Sequence, residues 1–362
     1  MVLRLLNLGA DVNILGGESG TVLTAAVTSK STKVLALLLN RGADVNLLGG
    51  YYGTALATAA YRGYEEMVSL LLDRGADINI VGGHYGTALG AAVSSRNMRI
   101  VSLLLDRGAD VNRRCGDYGT ALTAAAFQGY EEIALLLVNR GADTNIVAGS
   151  DGTALTAAVS GRNTEIVSLL LDRGADVNIV AGHIGTALIA AILRWSLNTE
   201  IMSLLLDRGA DVNIAAGHYG TALVAAACWG HETIVSNLLG QGADVNITGG
   251  DYGTALTAAI TNGNAKIVSL LLDSGAEVNI VGGHYGTPLT AAVISARSGF
   301  VTQLFDRGAD VNCIGGHYGT ALTAAAFQGH EEMASLLLGQ GADINVEWVL
   351  RGCIDRSHIP GI

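Results

Sequence analysis

A Gly-Thr dipeptide returns along this chain at a nearly fixed step, and that step limits what the chain can fold into. It begins at Gly20, Gly53, Gly86, Gly119, Gly152, Gly185, Gly220, Gly253, Gly286 and Gly319. Successive copies are 33 residues apart, except for 35 between Gly185 and Gly220. A second marker, Gly-Ala-Asp/Glu-x-Asn, recurs eleven times, from Gly9–Asn13 to Gly341–Asn345. Self-similarity at this period means that each unit is a supersecondary structure too small to bury its own apolar face, so neighbours must stack. The composition fits. The 362 residues include 49 glycines and only 2 prolines, which the repeated turns account for. Apolar residues make up 50% and charged residues 15%, enough apolar surface to offset the entropy of ordering the chain.

Residues 54–79 show how one unit is built. Thr54 is placed to cap a helix through its hydroxyl. Leu56, Ala59 and Ala60 give that helix an apolar face, and the alanines permit close helix approach. Gly63 ends it. Glu65 and Glu66 open a second helix, where negative charge suits the helix dipole. Met67, Val68, Leu70, Leu71 and Leu72 form its core stripe, and Arg74 and Gly75 close it. Asp77 to Tyr85 reads as a hairpin-like turn projecting sideways.

The pattern G-T-A-L-x-A-A, followed after about a dozen residues by L-L-L-D-R-G-A-D-V-N, resembles the ankyrin repeat; residues 120–145 carry it in full. The resemblance covers residues 1–345, and its flavour is that of long fungal arrays attached to nucleotide-binding immune-type receptors. It implies an all-α ankyrin-repeat solenoid of about ten full 33-residue units of helix, turn, helix and hairpin. It also implies that partners dock along the concave groove and the hairpin tips. The expected layout is a partial repeat at 1–19, ten repeats over 20–345 with a two-residue insertion within 192–198, and a non-repeat tail at 346–362. Two departures stand out. The family's Thr-Pro-Leu-His keeps its proline only at Pro288, and the histidine is replaced throughout, by Thr24, Ala57, Gly90, Thr123, Thr156, Ile189, Val224, Thr257, Thr290 and Thr323. The inter-repeat hydrogen bonds of that histidine therefore have to be replaced by something else.

Charge and motifs exclude several functions. The net charge is −11, with no Lys/Arg-rich run to contact phosphates, so nucleic acid is not the expected partner. The four cysteines, Cys115, Cys228, Cys313 and Cys353, have neither zinc-site nor disulfide-framework spacing. No apolar run is long enough for a membrane span, and the chain reads as soluble and intracellular, most simply cytoplasmic. No nucleophile elbow, phosphate loop or HExxH occurs. The expectation is a non-enzyme with no cofactor and no metal.

Two sets of residues are candidates for partner contact. The first is the pair that follows Ala-Ala at the end of each first helix, where the resemblance places the groove. Here the large side chains Tyr61, Phe127, Trp229 and Phe327 stand out, with Arg62, Gln128, Leu193, Arg194 and Gln328 in the same pairs. Aromatics and arginine are the types that dominate interface energetics. The alternative is that these rings pack along the groove and cover backbone. Trp195, brought to the surface by the insertion, is either a contact residue or folds back over a neighbouring unit. The second set is a histidine row, His84, His183, His218, His284 and His317, at one hairpin position. Stacked helices lie about 8–10 Å apart, and equivalent hairpin residues are expected at that spacing. Zinc needs nitrogens within about 2.1 Å, so the row is a surface or contact feature and not a metal site. Beside it runs a tyrosine row, Tyr52, Tyr85, Tyr118, Tyr219, Tyr252, Tyr285 and Tyr318, whose regularity points to a structural role.

The reading that follows is a protein-interaction scaffold that binds a partner protein. Two alternatives are a sensor segment of a larger nucleotide-binding receptor and, far behind, an enzyme on the same scaffold. Neither end carries a polar cap, so the ends are expected to pair end to end with other molecules or to continue into a larger receptor-like protein.

Overall fold

The computed structural model describes residues 11–16, 20–193 and 199–345. The segment 1–10, Arg194, Trp195 and the tail 346–362 lie outside the described residues. The chain divides into two compact units, Met1–His218 and Tyr219–Ile362. Their described residues form helices and isolated antiparallel bridges, with no strand.

In the first unit the helices come in pairs: α1 (Val22–Thr28) with α2 (Thr32–Asn40), α3 (Ala55–Arg62) with α4 (Glu65–Asp73), and α5 (Ala88–Ser94) with α6 (Met98–Asp106). They continue with α7 (Ala121–Gln128) and α8 (Glu131–Asn139), α9 (Ala154–Ser160) and α10 (Thr164–Asp172), then α11 (Ala187–Leu193) and α12 (Thr199–Asp207). The second unit holds α13 (Ala222–Cys228) and α14 (Glu232–Gly240), α15 (Ala255–Asn262) and α16 (Ala265–Asp273), α17 (Pro288–Ile294) and α18 (Ser298–Asp306), and α19 (Ala321–Gln328) with α20 (Glu331–Gly339). Within each unit, first helices stack on first helices and second helices on second helices. Each first helix is short and alanine-rich, and Ala59, Ala60, Ala91, Ala92, Ala125 and Ala258 are fully buried. Small side chains let successive first helices approach closely, while Leu71, Leu104, Leu137 and Leu271 fill the space behind them from the second helices.

The threonine of every Gly-Thr marker from Thr21 to Thr320 that has a described cap is a buried N-cap whose hydroxyl accepts a backbone N–H three residues on. Where the family's histidine is replaced by threonine, the two hydroxyls also bond each other, at 2.9–3.0 Å for Thr120–Thr123, Thr153–Thr156, Thr254–Thr257 and Thr287–Thr290. The replacement thus closes its hydrogen bonds locally, at the cap.

The asparagine of the second marker makes a recurring side-chain hydrogen bond from one repeat to the next. Asn112 Oδ1 accepts the N–H of Asp143 at 2.8 Å, and its Nδ2 donates to the Gly141 carbonyl at 3.2 Å. The same clamp is made by Asn46, Asn145, Asn178, Asn246, Asn279 and Asn312 on the repeat that follows each. The marker's aspartate holds the asparagine in place, since Asp110 Oδ1 accepts the Asn112 N–H at 2.9 Å. An exposed row of arginines crosses the same boundaries, with Arg140 on Asp106 and Arg208 on Asp172, both at 2.8 Å. Exposed pairs of this kind contribute little each. The two-residue insertion leaves the ladder intact: Asn178 still clamps Asp211 and Gly209, at 2.8 and 3.1 Å.

Glycine in the first marker is demanded by close approach. Gly53 has φ +86, and a Cβ there would fall 2.5 Å from the Gly82 carbonyl carbon of the next hairpin.

Candidate functional site

The hairpins and the C-terminal ends of the first helices meet on one face of each unit, and the aromatic residues collect there. The hairpin closes on itself, with the Gly82 N–H donating to the Gly86 carbonyl at 2.7 Å. It also bonds to its neighbour, with the His84 N–H donating to the Tyr51 carbonyl at 2.9 Å. The His317 N–H reaches the His284 carbonyl at 2.9 Å in the same way. These bonds correct the expected spacing of the histidine row. The imidazole centroids of His284 and His317 are 5.1 Å apart and nearly parallel, not one helix spacing apart. Backbone hydrogen bonds between hairpins impose a spacing close to the roughly 4.8 Å of adjacent strands, whatever the separation of the helices below. Among the described residues, no three His, Cys, Asp or Glu side chains are grouped so as to hold a metal ion.

In the first unit, Tyr61 at the end of α3 lies between two hairpin tyrosines, 5.0 Å from Tyr52 and 4.7 Å from Tyr85 between ring centroids. His84 stacks on Tyr51 at 5.0 Å and meets Tyr85 edge-on at 4.8 Å. Arg62 lies over the Tyr52 ring at 5.8 Å. Offset and edge-on pairs at these distances are the favourable arrangements for aromatic rings. Burial, together with a hydrogen bond to the Tyr61 hydroxyl, pushes the Tyr85 phenol well above its ordinary value, so it stays protonated. Phe127 at the end of α7 is half-buried against the core, and Gln128 beside it is exposed. Leu193, the last residue of α11, is half-buried, and His183 and His218 are exposed.

The second unit carries a continuous run of rings. Trp229, the residue that caps α13, lies 6.5 Å from Tyr219. Tyr219 stacks on Tyr252 at 6.3 Å, and Tyr252 on Tyr285 at 6.0 Å. His284 meets Tyr285 edge-on, stacks on His317, and His317 meets Tyr318 edge-on at 5.1 Å. Phe327 stands 5.4 Å from Tyr318 and is 74% exposed, the most open of the four groove aromatics. Gln328 beside it is exposed. The Cys228 thiol is bonded to the Tyr252 hydroxyl, an interaction that together with burial pushes that phenol up. The tyrosine row and the groove aromatics, separate in the sequence, therefore share one surface in each unit: the tyrosines stack from repeat to repeat, and Tyr61, Trp229 and Phe327 lean on them.

The four groove aromatics are not at equivalent positions. Tyr61, Phe127 and Phe327 lie at the ends of eight-residue helices that close on a left-handed glycine, Gly63, Gly129 and Gly329. Trp229 instead follows a seven-residue helix as its cap. After several seven-residue helices the left-handed residue is not glycine but Lys30, Arg96, Arg162 or Ala296, with φ between 54 and 61. Lys30 and Arg96 then reach over the ring of Tyr64 and Tyr130 in the next repeat, at 5.3 Å each.

The structure also shows an exposed apolar row that the sequence reading omits. Two residues after the clamp asparagine stand Leu15, Leu48, Val81, Val147 and Val180 in the first unit, and Val281 and Ile314 in the second, each at least 40% exposed. Arg113 and Arg114 interrupt it. The fixed offset from Asn is the signal that could have found it.

Among the described residues, no helix is long and apolar enough to cross a membrane. No curated protein matches the chain. The family model described as ankyrin repeats in three copies matches residues 1–82, 83–148, 146–216, 200–282, 223–315 and 283–347. Repeats of this family are generally protein–protein interaction modules, and the family is typically a non-enzymatic binding scaffold. With these matches together covering residues 1–347, the length over which the helix pairs repeat, the chain belongs to the ankyrin-repeat family.

Proposed function

We propose that this protein binds a partner protein on the face where the first helices meet the hairpins, through Tyr61, Arg62, Phe127 and Gln128 in the first unit and Trp229, Phe327 and Gln328 in the second. Leu193 and the exposed imidazoles of His183 and His218 extend that face of the first unit, and His84 borders it. His284 and His317 extend it in the second unit. The observation that carries this reading is the run of rings from Trp229 to Phe327. A face of interlocked aromatic and imidazole rings is rigid before it is occupied, so little side-chain entropy is lost on docking. It is also amphipathic, since each ring offers an apolar plane and Tyr and His add a polar edge. Recognition is reversible docking, with no bond made or broken.

The test compares capture of proteins from cell lysate by the wild type and by a variant with alanine at Tyr61, Phe127, Trp229 and Phe327. Circular dichroism checks that helical content is kept. A protein held by the wild type and released by the folded variant supports the assignment. Equal capture by the two removes these residues from the site. The exchange of Phe327 alone for serine touches the most exposed of the four aromatics and guards against a loosened hairpin in the fourfold variant.

A further inference from the structure

Resting on the groove reading above, we infer that the first unit contains a subsite for a carboxylate side chain of the bound peptide, built around Arg62 and roofed by Tyr51 and Tyr52. A cavity of about 230 Å³ opens there between α1 and α3, lined by Thr24, Thr28, Thr58, Tyr51, Tyr52 and Arg62. The donors it offers follow from its hydrogen bonds. The Thr24, Thr28 and Thr58 hydroxyls already donate to the carbonyls of Thr21, Thr24 and Thr54, at 2.7, 2.8 and 2.8 Å, and keep only lone pairs. The protons that remain belong to the Arg62 guanidinium and to the two phenols, which is a set that suits an anion. Among the described residues no carboxylate lies within 4.0 Å of Arg62, whereas Arg107, Arg140 and Arg208 of the inter-repeat row are each paired with an aspartate.

Charge complementarity selects the occupant. The Arg62 guanidinium, with no carboxylate beside it among the described residues, stands at an open pocket on the proposed binding face and is the charge complement of an acidic group. The planar fork of arginine matches a carboxylate in two parallel hydrogen bonds. The stacking of Arg62 over Tyr52 holds the fork at the pocket mouth, 5.8 Å from the ring centre. A single guanidinium favours the singly charged carboxylate over a phosphate dianion, which is usually gripped by a cluster of cations. The ligand is thus an aspartate or glutamate of a peptide lying along the face, its neighbours against Tyr61 and Tyr85.

The test is selection from a displayed library of random unphosphorylated peptides on the full chain, wild type beside Arg62→Gln and Arg62→Lys. Selected peptides are then titrated by fluorescence anisotropy. The expected result is an aspartate or glutamate at one fixed position in peptides from the wild type and its absence in those from Arg62→Gln. Arg62→Gln, and Glu→Gln in the peptide, should each weaken binding about tenfold or more. The two changes together should weaken it no further than either alone, as paired groups do. Arg62→Lys should recover only part of the affinity, because it keeps the charge and loses the fork. A selection that yields no Arg62-dependent peptide, or an additive double change, overturns the subsite. Peptides that depend on Phe127 or Trp229 and ignore Arg62 leave the groove reading standing and remove only the carboxylate. Enrichment that appears only with a phosphorylated library also overturns it.

Discussion

Replacing Asn112 with alanine removes both arms of one inter-repeat clamp and tests where the repeats are fastened together. Asn112 accepts from the Asp143 N–H at 2.8 Å and donates to the Gly141 carbonyl at 3.2 Å. A net hydrogen bond is worth roughly 0.5–1.5 kcal/mol, so the pair approaches about 2 kcal/mol if fully sheltered. The side chain is half-exposed, and water takes over part of each bond, which brings the expected loss to about 1 kcal/mol. A long repeat array need not unfold in one step, so a global midpoint is a poor reporter. Amide exchange is local and suits the question. In Asn112→Ala the Asp143 amide should exchange about fivefold faster or more, following the roughly tenfold change per 1.4 kcal/mol. The Asp44 amide, held by Asn13 at 2.7 Å, should be unchanged. Asn112→Asp keeps an acceptor for Asp143 and loses the donor to Gly141, so Asp143 protection should survive. Unchanged exchange at Asp143 in Asn112→Ala, or equal acceleration at the Asp44 amide and across the array, would refute the clamp as the fastening.

Further outcomes follow from other contacts. Gly90 and Cys115 form a size-matched pair, because a Cβ on Gly90 would lie 2.5 Å from the Tyr85 carbonyl oxygen and 3.1 Å from the Cys115 Sγ. At the equivalent positions of a later repeat the pair is Thr290 and Gly315. Gly90→Thr alone should destabilise its repeat by about 1–3 kcal/mol, and adding Cys115→Gly should return part of that loss, a coupling that amide exchange within α5 measures in the two single variants and the double variant. Burial pushes the Cys115 thiol up to about 11, against a weaker opposing bond to Thr87. Its thiolate is then favoured in the unfolded chain, so stability should be level below about pH 9 and fall as pH rises towards about 11, an effect that Cys115→Ala should reduce. Burial lowers the His231 imidazole, so its contribution is present above the ordinary histidine range and is lost as pH falls below it, which an NMR titration of that ring would show.

The helical architecture is legible in the sequence because each element announces itself locally. Thr54 caps, Gly63 terminates and Leu71 is buried where the pattern puts them. Less of the site can be read. Tyr52 and Tyr61 belong to different elements, and only the return of the hairpin over α3 brings their rings to 5.0 Å. Helix packing gives the wrong spacing for the histidine row, because hairpin backbone bonds such as that from His317 to His284 set it. The exchange of the family's histidine for threonine reads in sequence as a loss. Its compensation is split between a hydroxyl pair at the cap and the asparagine of a marker whose sequence signals only a turn.

The most direct measurement is hydroxyl-radical footprinting of the side chains, with and without the partner protein bound. Binding on the ring-lined face predicts loss of labelling at Tyr61, Phe127, Trp229 and Phe327, with exposed second-helix residues such as Leu135 and Leu336 labelled as before. Protection of Leu135 and Leu336 with the four rings still open would contradict the account.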